Sequence, residues 1–287
     1  TGDMPRPPAS EVASVPVDLT ALQANCNHGQ CAKPQAMWLG HATGLLQAGG
    51  SNLLFDPVFS ERASPFSLIG PKRHNPPPVA VKDLPYMDAV FISHNHYDHL
   101  DKTSVLTVSQ QPGGSPRLFV PLGLATWFKD LGMNNVVELD WRDKGHMSGA
   151  DIHFVPAHHG SARGLFDTNK SLWGGWIATT ADWRFYFAGD AGWSDDFVDI
   201  GQRFPGIDLA AIPIGAYAPR WFMGEQHVNP KEAVDLYQAS GAKRLGTSLG
   251  YSWHCQQPVP CVARRRGYPA ALMADGNNHT PKVELSP

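Results

Sequence analysis

The stretch FISHNHYDHL, residues 91–100, decides the fold of this chain. It opens on the end of an apolar run with the length and β-branched content of a buried strand. In an extended segment, side chains two apart point the same way, so His94 and His96 can converge on one point while Asp98 and His99 reach a second. The sequence therefore predicts a strand that ends in a rigid loop carrying two neighbouring metal sites.

Histidines near a strand end can also serve only to cap backbone hydrogen bonds. Hydrogen bonding alone needs no clustering, however, and clustered imidazoles resist protonation by mutual repulsion. A divalent ion is stabilised directly by several neutral nitrogen donors. The density of ligand-type side chains favours metal binding over simple capping.

The composition indicates one globular domain with long loops. The chain has 287 residues, of which 42% are hydrophobic and 17% charged, and no stretch resembles a linker. We expect an N-terminal arm over residues 1–34 and a single domain over residues 35–287, atypical from about residue 246 onward. A formal net charge of -3 argues against a nucleic-acid binder.

No apolar stretch approaches the roughly 20 residues needed to cross a bilayer. The sequence therefore predicts a cytoplasmic or membrane-peripheral protein. The four cysteines form two close pairs, Cys26 with Cys31 and Cys255 with Cys261, which could be local disulfides. A zinc knuckle built on Cys26, His28 and Cys31 is a weaker interpretation, because the chain offers no second half for it.

Hydrophobic patterns divide the domain into short strands, helices and one long loop. Strands are predicted at residues 36–39, 44–48, 52–55, 118–120, 136–139, 152–155, 172–178, 185–188 and 209–212, helices at 102–110, 124–131, 195–204 and 230–239, and a proline-rich loop at 56–83. An antiparallel opening followed by mixed strands and helices predicts two sheets flanked by helices.

The sequence around the histidine motif resembles the sequences of a known family. The motif itself and the segments WLGHAT (38–43), FDPVF (55–59), GPKR (70–73) and PPP (76–78) resemble the metallo-β-lactamase superfamily. The branch is the one that contains N-acyl-phosphatidylethanolamine-hydrolysing phospholipase D and bacterial RomA-like proteins. The likeness runs from about residue 38 to about residue 244. It implies an α/β (α+β) fold of the αββα sandwich type and a binuclear zinc hydrolase.

The resemblance also implies a set of ligands for two Zn²⁺ ions. His94, His96 and His159 belong to the first site, Asp98 and His99 to the second, and Asp190 bridges the two. The family pattern after proline and alanine selects His159 over the adjacent His158. Asp190 follows an apolar strand, although an ordinary turn aspartate is the alternative reading of it.

One ligand of the second site is missing from the expected place. Relatives carry a His-Trp-Gly-Thr segment where this chain reads GTSLGY, residues 246–251, and the nearest substitute is His254. A second hypothesis is a shifted reading frame, because DNA that encodes GTSLGY can read Ala-Arg-His-Trp-Gly-Thr one base later. Without a histidine at that position, and unless His254 takes its place, we expect the second ion to be held more weakly.

Two further histidines, His41 and His227, match family motifs on loops. We expect them to support the ligands or contact the substrate, with hydrogen bonding to backbone as the alternative. Asp98 is expected to orient the attacking water and handle its proton. These three residues are the candidates for catalysis besides the metals.

The implied chemistry is hydrolysis of a phosphodiester in an N-acyl-phosphatidylethanolamine-like lipid. The loop residues Phe66, Leu68 and Ile69 and the segment RWFM, residues 220–223, suit an acyl chain or a peripheral membrane contact, with core packing as an equal explanation. A hydrolase of a soluble ester or lactone is one alternative function. A non-catalytic metal-binding protein is the second. A structural or interaction module is the third, and the set of ligand-type residues argues against it.

Overall fold

The structure is a computed structural model that describes residues 16–27, 29–73, 75–147 and 149–248. Two six-stranded sheets and a two-stranded hairpin make up its β structure. The strands are β1 (Cys26–Asn27), β2 (Gln30–Cys31), β3 (Gln35–Gly40), β4 (Thr43–Ala48), β5 (Ser51–Phe55), β6 (Ala89–Phe91), β7 (Arg117–Pro121), β8 (Val136–Leu139), β9 (Lys144–Met147), β10 (Ala150–Val155), β11 (Gly175–Thr180), β12 (Arg184–Phe187), β13 (Leu209–Pro213) and β14 (Leu245–Ser248). The helices are α1 (Leu19–Asn25), α2 (Lys102–Ser109), α3 (Ala125–Asp130), α4 (Asp196–Arg203), α5 (Arg220–Met223) and α6 (Pro230–Ser240), with a 3₁₀ turn at Val81–Asp83.

Each large sheet is mixed. The first has the order β3-β4-β5-β6-β7-β8 and is antiparallel from β3 to β5 and parallel from β5 to β8. The second has the order β14-β13-β12-β11-β10-β9 and is antiparallel from β9 to β12 and parallel from β12 to β14. In both sheets the parallel strands require crossovers. Helices provide them except between β5 and β6, where the connection is the long loop that contains the 3₁₀ turn.

The core between the two sheets is aromatic. Phe55 stacks on Phe91 at 4.7 Å between ring centroids, and Phe91 stacks on Phe119 at 5.0 Å, all on the first sheet. From the second sheet, Phe187 approaches Phe55 at 5.1 Å and Trp176 approaches Phe91 at 5.5 Å. Burying each such ring contributes about 1.5–3 kcal/mol, so this layer holds the sheets together.

Helices cover the outer face of each sheet. On the first sheet, Val105 of α2 and Phe128 of α3 pack in one cluster with Val90. On the second, Phe197 of α4 and Leu236 of α6 pack in another. The layers are therefore helix, sheet, sheet and helix, which confirms the predicted αββα sandwich.

The N-terminal segment contains structure that the sequence did not predict. Helix α1 begins after Asp18, whose side chain accepts a hydrogen bond from the Ala21 amide, and it buries Leu22. The hairpin that follows is closed by a disulfide between Cys26 and Cys31. Because these cysteines are bonded to each other, the zinc-knuckle interpretation is wrong for them.

Other differences are local. Strand β9 was missed because it lies at a sheet edge and carries polar residues. The strand predicted to begin at residue 172 begins at Gly175. His254 and the cysteine pair near it, Cys255 and Cys261, lie outside the described residues. Among the described helices, none has the length and apolar content to cross a membrane.

Candidate metal centre

Apart from His254, which lies outside the described residues, the predicted ligands gather at one edge of the sandwich because strands from both sheets end there. In the first sheet, β5 and β6 run parallel, so Asp56 and the loop after Phe91 emerge side by side. In the second sheet, β10 and β12 both pair antiparallel with β11 and so run in the same direction. His159 follows β10 and Asp190 follows β12, which places both at the same edge.

Three histidine nitrogens converge on one point. Nε2 of His94 lies 2.8 Å from Nδ1 of His96, and Nε2 of His159 lies 3.4 Å from the same nitrogen. His94 and His159 are buried and His96 is half-buried. This is the trio that the resemblance assigned to the first site.

A second group lies beside the first. Nε2 of His99 lies 3.1 Å from Oδ2 of Asp190 and 3.9 Å from Oδ2 of Asp98. The same Asp190 oxygen lies 3.8 Å from Nε2 of His159. Asp190 therefore stands between the two groups, where a bridging carboxylate would have to be.

Two polar atoms in this cluster are buried without a hydrogen-bond partner among the described residues. They are Oδ1 of Asp190 and Nδ1 of His227. Leaving such atoms unsatisfied costs free energy, and a cation would satisfy the nitrogen lone pairs and the carboxylate together. The donor set of imidazoles and carboxylates fits a divalent transition metal such as zinc.

The electrostatics of the histidine trio also fit a cation. Burial lowers the pKa of His94 far below its usual value, and it lowers the pKa of His96 as well. Burial lowers the pKa of His159 to about 4. The three rings are therefore neutral near pH 7, which is the form that coordinates a metal.

His99 behaves differently because carboxylates surround it. Burial alone would lower its pKa, but the charges of Asp190 and Asp98 outweigh burial and raise it well above the usual value. Burial likewise opposes ionisation of Asp190, yet the charge of His99 holds the pKa of that carboxyl well below its usual range. Without an ion, His99 therefore carries the positive charge that the carboxylates attract.

Asp56 belongs to the site, and the sequence reasoning did not single it out. Oδ2 of Asp56 lies 2.7 Å from Nδ1 of His99, and Oδ1 accepts a hydrogen bond of 2.7 Å from the Ser93 amide. Asp56 has a positive φ of 40°, unusual for a residue other than glycine. The signal available in the sequence was an aspartate directly after the predicted strand at residues 52–55.

The other ligand rings are oriented in the same way. Nδ1 of His94 lies 2.9 Å from Oγ of Ser93, and Nδ1 of His159 lies 3.0 Å from the carbonyl oxygen of Gln226. Each contact leaves Nε2 free to point into the cluster. Such partners fix the tautomer and the ring orientation of a metal-binding histidine.

The predicted catalytic residues lie around the cluster. Nε2 of His41 is 3.1 Å from Oδ2 of Asp98, whose side chain is 34% exposed while the other carboxylate, Asp190, is 3% exposed. Nδ1 of His227 is 3.8 Å from Oδ2 of Asp190. His158 is exposed and His159 is buried, so the side chain that the family pattern selected is the one that faces the cluster.

Comparison with known proteins identifies the family. Residues 51–246 match the model of the β-lactamase superfamily domain. The chain is 44% identical over 230 residues to N-acyl-phosphatidylethanolamine-hydrolyzing phospholipase D 1 of Caenorhabditis elegans, covering 76% of this chain and 63% of that protein. It is 34% identical over 259 residues to the mitochondrial enzyme of that name from Saccharomyces cerevisiae, covering 83% and 54%. The chain thus spans somewhat more than half the length of these relatives.

Solved structures show the same fold. An isothiocyanate hydrolase from Delia radicum gut bacteria aligns with a TM-score of 0.60 at 24% identity, over 78% of this chain and 87% of that one. A metallo hydrolase from the archaeon Ignicoccus hospitalis aligns with a TM-score of 0.56 at 19% identity, over 75% and 81%. At these identities the likeness concerns the arrangement of strands and helices.

Proposed function

This chain belongs to the metallo-β-lactamase superfamily, and we propose that it is a metal-dependent hydrolase that uses two zinc ions to cleave a phosphodiester in an N-acyl-phosphatidylethanolamine-like lipid. Two curated relatives, from a nematode and a yeast, carry that activity in their names. The observation in this chain that carries the proposal is a group of exposed apolar side chains on the loops around the metal centre.

The first of these loops leads directly into His227. Trp221 and Phe222 of helix α5 are 86% and 67% exposed. Helix α5 is tied to the site because the His227 amide donates to the Met223 carbonyl at 2.9 Å, and Nη1 of Arg220 donates to the His227 carbonyl at 2.7 Å. Core packing, which the sequence left open for this segment, is wrong for its two aromatic residues.

Two other loops near the metal centre also carry exposed apolar side chains. Phe66, Leu68 and Ile69 are largely exposed in the long loop after β5, so core packing is wrong for them as well. That loop is joined to the start of α2, just after the histidine motif, by a 3.1 Å hydrogen bond from the Ser60 amide to Asp101. Leu165 and Phe166 are 90% and 84% exposed in the loop after His159. Apolar tips of this kind suit acyl chains or a lipid surface, and the proposal includes peripheral membrane contact.

The roles of the side chains follow from their positions. When bound, two divalent ions would supply an ionised water and stabilise charge on a phosphoryl oxygen. Asp98 is the most exposed of the acidic ligands and has His41 as a neighbour, so it is placed to orient that water and pass its proton outward. His227 has an unpartnered ring nitrogen within the described structure and is placed to hold the phosphoryl oxygen.

The proposal is tested with vesicles that contain N-acyl-phosphatidylethanolamine. We expect the zinc-loaded protein to release N-acylethanolamine and phosphatidic acid, with oxygen from isotopically labelled water entering the phosphate. The test variant is His96→Ala and its matched control is His158→Ala, because only the first of these histidines lies in the cluster. Activity should be lost in the first variant and kept in the second.

A different outcome would point to another substrate. Turnover of a short-chain lactone or ester, without turnover of the lipid, would replace the phosphodiester proposal by the soluble-substrate alternative. Binding of zinc without hydrolysis of either kind of substrate would favour a metal-binding protein. In either case the lipid proposal would be rejected.

A further inference from the structure

A single arginine lies across both ends of the loop that carries the metal ligands. We refer to residues 93–100 as the metal loop and to residues 161–171 as the strap. Nη1 of Arg163, in the strap, donates to the carbonyl oxygen of Asn95 at 3.0 Å and to that of Leu100 at 2.8 Å. The two carbonyls lie on either side of the ligand run from His96 to His99.

The guanidinium is also held between aromatic rings. Its central carbon lies 4.0 Å from the centroid of Tyr97, inside the metal loop, and 5.1 Å from that of Trp127 on α3. Stacking of this kind adds attraction and limits the directions in which the guanidinium can point. Arg163 therefore contacts the metal loop at its beginning, middle and end.

The strap itself is fixed independently of the metal loop. Asp167 accepts hydrogen bonds from the amides of Arg163, at 3.0 Å, and Gly164, at 2.7 Å. Oγ of Ser161 donates to the Ser171 carbonyl at 2.6 Å, which closes the strap at its base. Arg163 thus projects from a braced loop and does not simply follow the movements of the segment that it contacts.

From these contacts we propose that Arg163 is a positioning residue that holds the metal loop in its binding shape before any metal arrives. Within the loop, the amides of His99 and Leu100 both donate to the His96 carbonyl, at 3.1 and 2.8 Å, and these bonds bring Asp98 and His99 back toward the first site. Because Arg163 joins Asn95, just before this turn, to Leu100, at its end, it opposes opening of the turn. The proposal concerns the loop alone and does not depend on the identity of the substrate.

The test compares three variants. Arg163→Met removes both donors, and Arg163→Lys keeps the charge on a side chain about one bond shorter that cannot stack as a plane. The control is Arg184→Met, because Arg184 is also half-buried and also donates to a backbone carbonyl, that of Pro205, but lies at the far end of β12 from Asp190.

Two readouts are needed, one of which involves no metal. Hydrogen exchange at the His99 and Leu100 amides of the metal-free protein should become about tenfold faster in Arg163→Met, because two hydrogen bonds to the loop are lost. Loss of zinc from the loaded protein to a chelator should accelerate by about the same factor. Arg163→Lys should lie between Arg163→Met and the parent, and Arg184→Met should match the parent in both measurements.

Each other outcome would overturn the proposal. Exchange and zinc loss at parent rates in Arg163→Met would show that the contacts do not restrain the loop. Equal acceleration in Arg184→Met would show a general loss of stability. If Arg163→Met does not fold, the test rests on Arg163→Lys alone. Exchange and zinc loss at parent rates in that variant would show that a nearby positive charge is sufficient to restrain the loop, and the proposed contacts would not be required.

Discussion

Nδ1 of His99 lies 2.7 Å from Oδ2 of Asp56, and both side chains are fully buried. Asp56 also accepts hydrogen bonds from the backbone and the hydroxyl of Ser93, at 2.7 and 2.5 Å. This network fixes the His99 ring with Nε2 directed toward Asp98 and Asp190. The shape of the second group of ligands is therefore set by a residue that would not itself touch the ion.

Replacing Asp56 by Asn should weaken the second ion selectively. Asn keeps the size of the side chain but removes the charge that holds the Nδ1 proton of His99, so the affinity for the second ion should fall by about 10- to 100-fold. Calorimetric titration with zinc measures both ions. The control is Asp88→Asn, since Asp88 also accepts a backbone hydrogen bond, from Asn52, but lies before β6. Equal losses in both variants would reject the role of Asp56.

Much of the fold could be predicted from the sequence, because its signals are local. Apolar strands such as the one before Ser93, and the capped helix that begins after Asn229, are visible in short windows. Strand β9 and helix α1 were missed because the first is a polar edge strand and the second is too short for a clear hydrophobic period.

The candidate site could be predicted only in part. The spacing of the histidines and the aspartate within the motif is enough to predict metal binding. His159 and Asp190 were assigned to the site only because the sequence resembles a known family. Asp56 contacts His99, which is 43 residues away in the sequence. Arg163 contacts the metal loop at two carbonyls, which are 68 and 63 residues away. Contacts at such separations depend on how the strands end in space, and local sequence patterns do not reveal that arrangement.

Replacing Asp190 by Asn should cause the protein to lose one of its two ions before the other. The carboxylate oxygen that lies 3.1 Å from His99 and 3.8 Å from His159 would lose its charge, and with it the attraction that lets two cations sit close together. After dialysis we expect one ion per chain by elemental analysis. A count of two, unchanged from the parent, would contradict the bridging role.

The second ion should bind more tightly as the pH rises. The pKa of His99 is raised, so near neutral pH its ring carries a proton that an ion at Nε2 must displace. Raising the pH removes this competitor, and affinity should increase by up to about tenfold per pH unit until the pH passes the raised pKa. The first ion should show no such dependence between about pH 6 and about pH 8, because the pKa values of its three histidines are lowered. Titrations in buffers with different heats of protonation would count the protons released. Release with the first ion but not with the second would contradict this assignment.

The exposed aromatic residues of α5 should affect only substrate presented in a membrane. Replacing Trp221 and Phe222 by Ser removes apolar surface that is already exposed, so the free energy of unfolding should change little. KM on lipid vesicles should rise several-fold, up to about tenfold, while activity on a dispersed short-chain substrate stays the same. Val234→Ser, at an exposed position on α6, is the control. An equal loss on both substrates would place these residues in the chemistry instead of at the lipid surface.

The most direct test of the account is a zinc titration of the metal-free protein together with His96→Ala and His99→Ala. The account predicts two ions for the parent, bound in a tight step and a weaker one, because the first group offers three neutral histidines. His99→Ala should retain the tight step and lose the weaker one, and His96→Ala should lose the tight step. A single ion in the parent, or two ions of unchanged affinity in His99→Ala, would contradict the two-metal centre on which the proposed hydrolysis depends.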